Sequence, residues 1–125
     1  MKDKAIRNFE AAKLLASVSF YDSAASRAYY SAYLFAWDYL AKLSIHPQTK
    51  SRNGISYWGH RELQNELHEI GIISPDQKVN WEILYSYRVR ADYYEENNEE
   101  EDALFSVQIA YDFKEFFLNE ERRLE

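Results

Sequence analysis

Cysteine is absent from the 125 residues. That excludes disulfides, thiol nucleophiles, Cys-ligated zinc and iron–sulfur clusters. Glycine and proline are scarce, at three and two residues. So few leave little room for the turns of an all-β fold. No apolar run approaches the roughly 20 residues of a membrane span. The opening stretch "MKDKAIRNFEAAKLL" lacks the continuous apolar core of a secretion signal. These absences predict a soluble cytoplasmic protein with no membrane partner. Positive charge is also short, with 15 Lys and Arg against 21 Asp and Glu, a formal charge of −6. Broad non-specific nucleic-acid binding needs a basic surface and is disfavoured, while a small basic cleft stays open.

Apolar and aromatic residues are plentiful. The chain is 46% hydrophobic and 17% aromatic, too rich for disorder. Its length predicts one domain spanning residues 1–125. Residues 3–18 place Ala5, Phe9, Ala12 and Ala16 at spacings of three and four, one face of an amphipathic helix. Asp22 is the expected N-cap of the next helix. Residues 23–43 hold no Gly or Pro and are apolar nearly all round, as suits the central and most buried helix of a bundle. Ala24, Ala25, Ala28, Ser31 and Ala32 would let neighbours approach closely. Phe35, Trp37 and Leu40 would fill space toward the far end.

Residues 44–58 read as the one long loop, with Pro47 and Asn53-Gly54 as turn chemistry. A short helix follows over 60–70, closed by Gly71. Ser74 and Pro75 then signal a helix start. That helix is expected to run to about Glu95, with Ile83, Leu84, Tyr87, Ala91 and Tyr94 on one side. Asn98 is expected to cap the last helix, whose first-turn glutamates meet the positive end of the macrodipole. Arg122 and Arg123 sit at its other end. Ala103, Val107, Ala110, Phe113 and Phe117 make its buried stripe. The fold class is therefore all-α, an up-and-down bundle of four main helices plus one short helix.

Three segments carry a resemblance. "YDSAASRAYYSAYLFAWDYL" resembles the S-R-x-Y-Y-A helix of HEPN domains. "GHRELQNEL" is similar to the H-K/R-x-L segment of compact prokaryotic members. "RVRADYYEENNEEEDALFSVQIAYDFKEFF" is similar to their R-x-x-A-D-Y … A … A-x-x-F ending. Together they span roughly residues 5–120 in the right order. The resemblance implies a small helical bundle that dimerises, with a composite site at the interface. Many such proteins are metal-independent ribonucleases acting as toxins or defence effectors. Others have lost that activity and act as binding modules, some as toxin–antitoxin partners of small nucleotidyltransferases.

The ribonuclease signature is an Arg and a His with about four to six residues between them. Alignment on R-x-x-A-D-Y puts Arg88 at the arginine, and Tyr93, Tyr94 and Glu95 where His would stand. Counting from Arg90 gives Glu95, Glu96 and Asn97. Metal-independent RNA cleavage wants a group that shuttles a proton near neutral pH, which is natural for His and poor for Tyr. Whether the chain is an enzyme is thus left open. A degenerate ribonuclease motif and a non-catalytic interaction module are the two readings.

The candidate catalytic residues are Arg88, Asp92 and Tyr93, with Arg27, Tyr30, His60 and Arg90 as candidate binding residues. Arg88 and Asp92 stand four apart and are neighbours on a helix. They form either an intrahelical ion pair or an orienting pair that aims the guanidinium at a phosphate in a dimer-interface cleft. Arg88 and Arg90 border opposite edges of the apolar stripe and are not expected to share a site. Arg27, inside an apolar helix, should need a carboxylate, Asp92 or Asp38. It either fixes helix register or joins the cleft of Arg88. His60 matches the resemblance and could supply the missing imidazole only if the loop folds it over Arg88. Most tyrosines should be core or dimer contacts, and some rings could stack on bases. No metal or cofactor is expected, since His46, His60 and His68 fit no zinc spacing. The expected partners are a second copy, then RNA or a nucleotide, or a nucleotidyltransferase-type protein.

Overall fold

The computed structural model describes all of residues 1–125. Five helices follow in order: α1 (Lys2–Ser17), α2 (Tyr21–Lys42), α3 (His60–Glu69), α4 (Pro75–Tyr93) and α5 (Glu100–Arg122). There is no sheet, only an isolated antiparallel bridge between Lys50 and Ser56. No helix is long and apolar enough to cross a membrane.

Side-chain contacts fix the directions. Ser31 Oγ donates to the Ala5 carbonyl at 2.8 Å and Arg27 reaches Asn8, so α1 and α2 are antiparallel. Arg88 on α4 meets Tyr30 on α2, and Asn98 just beyond α4 meets Asp22. Trp81 packs on Phe113 while Arg90 reaches Asp102, which makes α4 and α5 antiparallel. The bundle is therefore up-down-up-down, as the pattern predicted. α2 and α5 then run the same way, with Tyr21 near Glu100 and Tyr39 near Phe117.

α2 touches every other helix, whereas α1 and α4 do not touch each other. The cross-section is a rhombus with α2 and α5 on its short diagonal. Small residues allow that approach: Ala24, Ala25, Ala28, Ala32 and Ala36 on α2 and Ala103, Ser106 and Ala110 on α5 are all fully buried. Helix axes come within about 8–10 Å only when side chains at the crossing are small. α2 supplies more buried residues than any other helix. Leu63 and Leu67, one turn apart on α3, fasten the short helix to the core.

Several local expectations hold. Ser74 accepts from the Gln77 amide while the Gln77 side chain accepts from Ser74 N–H, a reciprocal cap with Pro75 in the first turn. Gly54 takes φ +80 in the Asn53-Gly54 turn, a conformation that costs glycine nothing.

Other expectations are overturned. Asp22 does not cap α2: the helix begins at Tyr21 behind Phe20, and Asp22 Oδ1 instead accepts from Asn98. Asn98 does not cap α5 either. Glu99 does, in a reciprocal box with Asp102. α4 stops at Tyr93 rather than Glu95, and Tyr94 is exposed rather than part of a buried stripe. Leu84 of the expected stripe is buried, and Trp81, outside it, carries the rest of the α4 core.

Candidate functional site

Because α1 and α4 stay apart, the outer face of α2 between them is open. Its floor is Ser23, Ser26, Arg27 and Tyr30, with Leu15 of α1 on one wall and Ala91 and Asp92 of α4 on the other. The groove holds about 440 Å³.

Arg88 lies at its edge with a side chain only 15% exposed. Nη2 donates to the Tyr30 hydroxyl at 2.7 Å. Nε lies 3.1 Å from Asp92 Oδ2, near enough for an ion pair but not aligned as a hydrogen bond. The guanidinium also sits over the rings of Tyr29, Tyr30 and Tyr93, with centroids 5.4–5.8 Å away. Burial pulls the Arg88 pKa down, but the bond to Tyr30 and the charge of Asp92 outweigh it and raise it overall. The result is a permanent cation held on four sides, with Nη1 making no hydrogen bond within the protein. Tyr93, the last residue of α4, is 70% exposed and touches Arg88 from the solvent side.

Arg27 is on the groove floor but exposed, contrary to the expectation of burial. Its partner is neither Asp92 nor Asp38 but Asn8 Oδ1, at 3.3 Å. Asp38 pairs with Lys42. Without a buried charge to neutralise, no carboxylate is required. Arg90 points away, toward Asn98 Oδ1 at 3.5 Å and Asp102 Oδ2 at 3.3 Å, and ties α4 to α5. It does not share the site of Arg88.

His60 does not fold over Arg88. Its ring stacks on Tyr85 with centroids 3.4 Å apart and 11° between planes. Nδ1 is 3.2 Å from Trp81 Nε1 and 3.1 Å from the Tyr29 hydroxyl. An indole N–H can only donate, so Nδ1 must accept. The ring proton then sits on Nε2, which faces Glu82 Oε1 at 3.5 Å. Tyr29 stands between, its hydroxyl on His60 and its ring under Arg88. Burial depresses the His60 pKa, Glu82 opposes this, and Arg61 and Arg88 reinforce it. Burial also raises the Tyr29 pKa, so its hydroxyl stays protonated.

A pH prediction follows. Above the unfolded pKa, about 6.5, neutral His60 contributes its full stability. Below it the unfolded chain binds the proton first, so stability falls as pH drops from 6.5 toward the depressed folded pKa. Melting temperatures should decline between about pH 7 and pH 5.5, and His60→Gln should flatten that decline. An unchanged slope in the variant would refute the assignment.

The structure thus gathers Arg88, Asp92, Tyr93 and Tyr30, sets Arg27 across the groove from Asp92, and leaves out His60 and Arg90. Sequence reasoning missed Trp81 and Tyr85. A signal existed: Trp81, Tyr85, Arg88 and Asp92 recur at helical spacing and share one face of α4. No three His, Asp or Glu side chains are placed to hold a metal ion.

No curated protein matches this chain. The family model of the HEPN domain matches residues 1–121, so that α2, α3 and the arginine-bearing end of α4 all fall inside the match. By that coverage, and with an all-α bundle bearing Arg88 at its groove, the chain belongs to the HEPN domain family.

Proposed function

We propose that this HEPN protein acts as a homodimer that holds RNA at the α1–α2–α4 groove without cutting it, in an RNA-directed or toxin–antitoxin defence setting. One observation carries the reading. Arg88 is fixed at the groove edge with Nη1 unengaged, and no imidazole stands beside it. A rigid guanidinium is suited to a phosphate. Arg27 offers a second cation on the same groove. Proton transfer to and from the ribose has no matched group there, since Tyr93 is an exposed phenol and Nδ1 of His60 is committed to Trp81 and Tyr29.

The test is binding and cleavage of a labelled single-stranded RNA by wild-type protein and Arg88→Ala. Loss of one phosphate contact should weaken binding about tenfold and lower the salt slope by about one. No cleavage should depend on Arg88. Arg88-dependent cleavage refutes the non-cutting half, and unchanged RNA binding refutes the other. The second reading is a protein-interaction module, partnered by a nucleotidyltransferase. It is favoured by the seven carboxylates and absent cations of residues 92–102, which repel a polyanion. Binding of such a protein, with none of RNA, would select it.

A further inference from the structure

Charge is segregated along this chain. Residues 39–61 contain Lys42, Lys50, Arg52 and Arg61 and no carboxylate. Residues 92–102 contain Asp92, Glu95, Glu96, Glu99, Glu100, Glu101 and Asp102 and no Lys or Arg. Lys50, Arg52, Glu95 and Glu96 are exposed and none of them enters an ion pair.

Both segments flank the same face of α2. The basic one forms a hairpin over residues 49–57, closed by the Lys50–Ser56 bridge and the Gly54 turn. Its foot is held where Tyr33 donates to the Trp58 carbonyl at 2.5 Å. Tyr33 adjoins Tyr30 of the groove floor, edge to face. The acidic segment is held at the other end of that face, where Asp22 accepts from Asn98. Each segment also exposes apolar surface, Ile55 and Tyr57 on the hairpin, Tyr93 and Tyr94 beside the acids.

We propose that a second copy of this chain docks across the mouth of the groove antiparallel to the first, each hairpin 49–57 seating on the partner's acidic segment and the two grooves facing each other as one cleft. This rests on the dimer reading above and supplies its geometry. A two-fold dimer uses the same patch on both copies. Asp22 and Tyr33 are eleven residues apart, about 16 Å along α2 at 1.5 Å per residue. An axis perpendicular to α2 midway between them passes the level of Arg27. Rotation about it carries each hairpin onto the opposing acidic segment, so two complementary contacts form at once. An axis along the helices would set hairpin on hairpin, which like charges disfavour.

Light scattering and sedimentation without RNA test this with two variants. Lys50→Glu/Arg52→Glu makes hairpin and segment both acidic. Glu95→Lys/Glu96→Lys sets two lysines, at the unpaired positions of the segment, against the basic hairpin. Each alone should dimerise at least about tenfold more weakly than wild type. Mixed, they should form a heterodimer of near wild-type affinity, because both of its contacts are again complementary. A wild-type monomer overturns both the dimer reading and this geometry. A dimer indifferent to the reversals, or strengthened by the first, overturns the antiparallel geometry alone. Failed rescue in the mixture does the same.

Discussion

Trp81→Ala will cost about 3–5 kcal/mol of folding stability, measured as a shift in the urea midpoint at unchanged slope. Trp81 is completely buried. It meets Phe113 of α5 edge-on at 5.2 Å and Tyr29 of α2 at 6.3 Å, and it donates to His60 of α3. One side chain thus joins four helices. Alanine removes the indole volume at a place where rigid helices cannot collapse inward, so a cavity term adds to the lost transfer energy. It also leaves His60 Nδ1 with Tyr29 as sole donor. Against a total of about 5–15 kcal/mol for a domain, this is a large share. Trp81→Phe separates the parts, keeping most of the volume and losing the N–H, and should cost about 1 kcal/mol from the bond. An alanine variant within about 1 kcal/mol of wild type would refute this account of the core.

Asp22→Ala is expected to cost about 2–3 kcal/mol. Asp22 Oδ1 accepts from both the backbone N–H and the Nδ2 of Asn98, at 2.8 and 3.0 Å. Asn98 is buried, its Nδ2 also donates to the Tyr87 carbonyl, and its Oδ1 accepts from Arg90. Every polar group of its side chain is used. Removing the carboxylate orphans two buried donors, which costs more than the bonds themselves were worth. Asn98→Ala should cost a similar amount, and the double variant clearly less than the sum, since both act through one contact. Additive losses in urea unfolding would count against the clamp. Loosening it frees the α4–α5 junction, so the Arg88 end of α4 should also lose amide-exchange protection.

The apolar stripe of α5 and the burial of α2 were legible because their signal is local and periodic. α4 misled for the same reason. Apolar residues fall on several of its faces, so periodicity alone could not choose Trp81 over Tyr94. At Asn98 the rule that Asn caps helices lost to Asp22, 76 residues away in sequence. No local pattern encodes that distance. Arg27 looked buried because its sequence neighbours are apolar, yet burial depends on what lies opposite, and opposite it lies the gap between α1 and α4.

By itself the sequence determined five helices, their caps at Ser74 and Gly71, the absence of thiol chemistry, the family resemblance and the missing imidazole after Arg88. Those follow from composition and from spacings within a turn or two of helix. The tertiary structure decided the rest. The small residues that draw α2 and α5 together hold α1 and α4 apart, and the groove exists only because of that. It also placed Arg88 against Tyr30, turned Arg90 to α5 and tied His60 to Trp81. Those pairings join residues far apart in the chain, and only the packing of whole helices selects them.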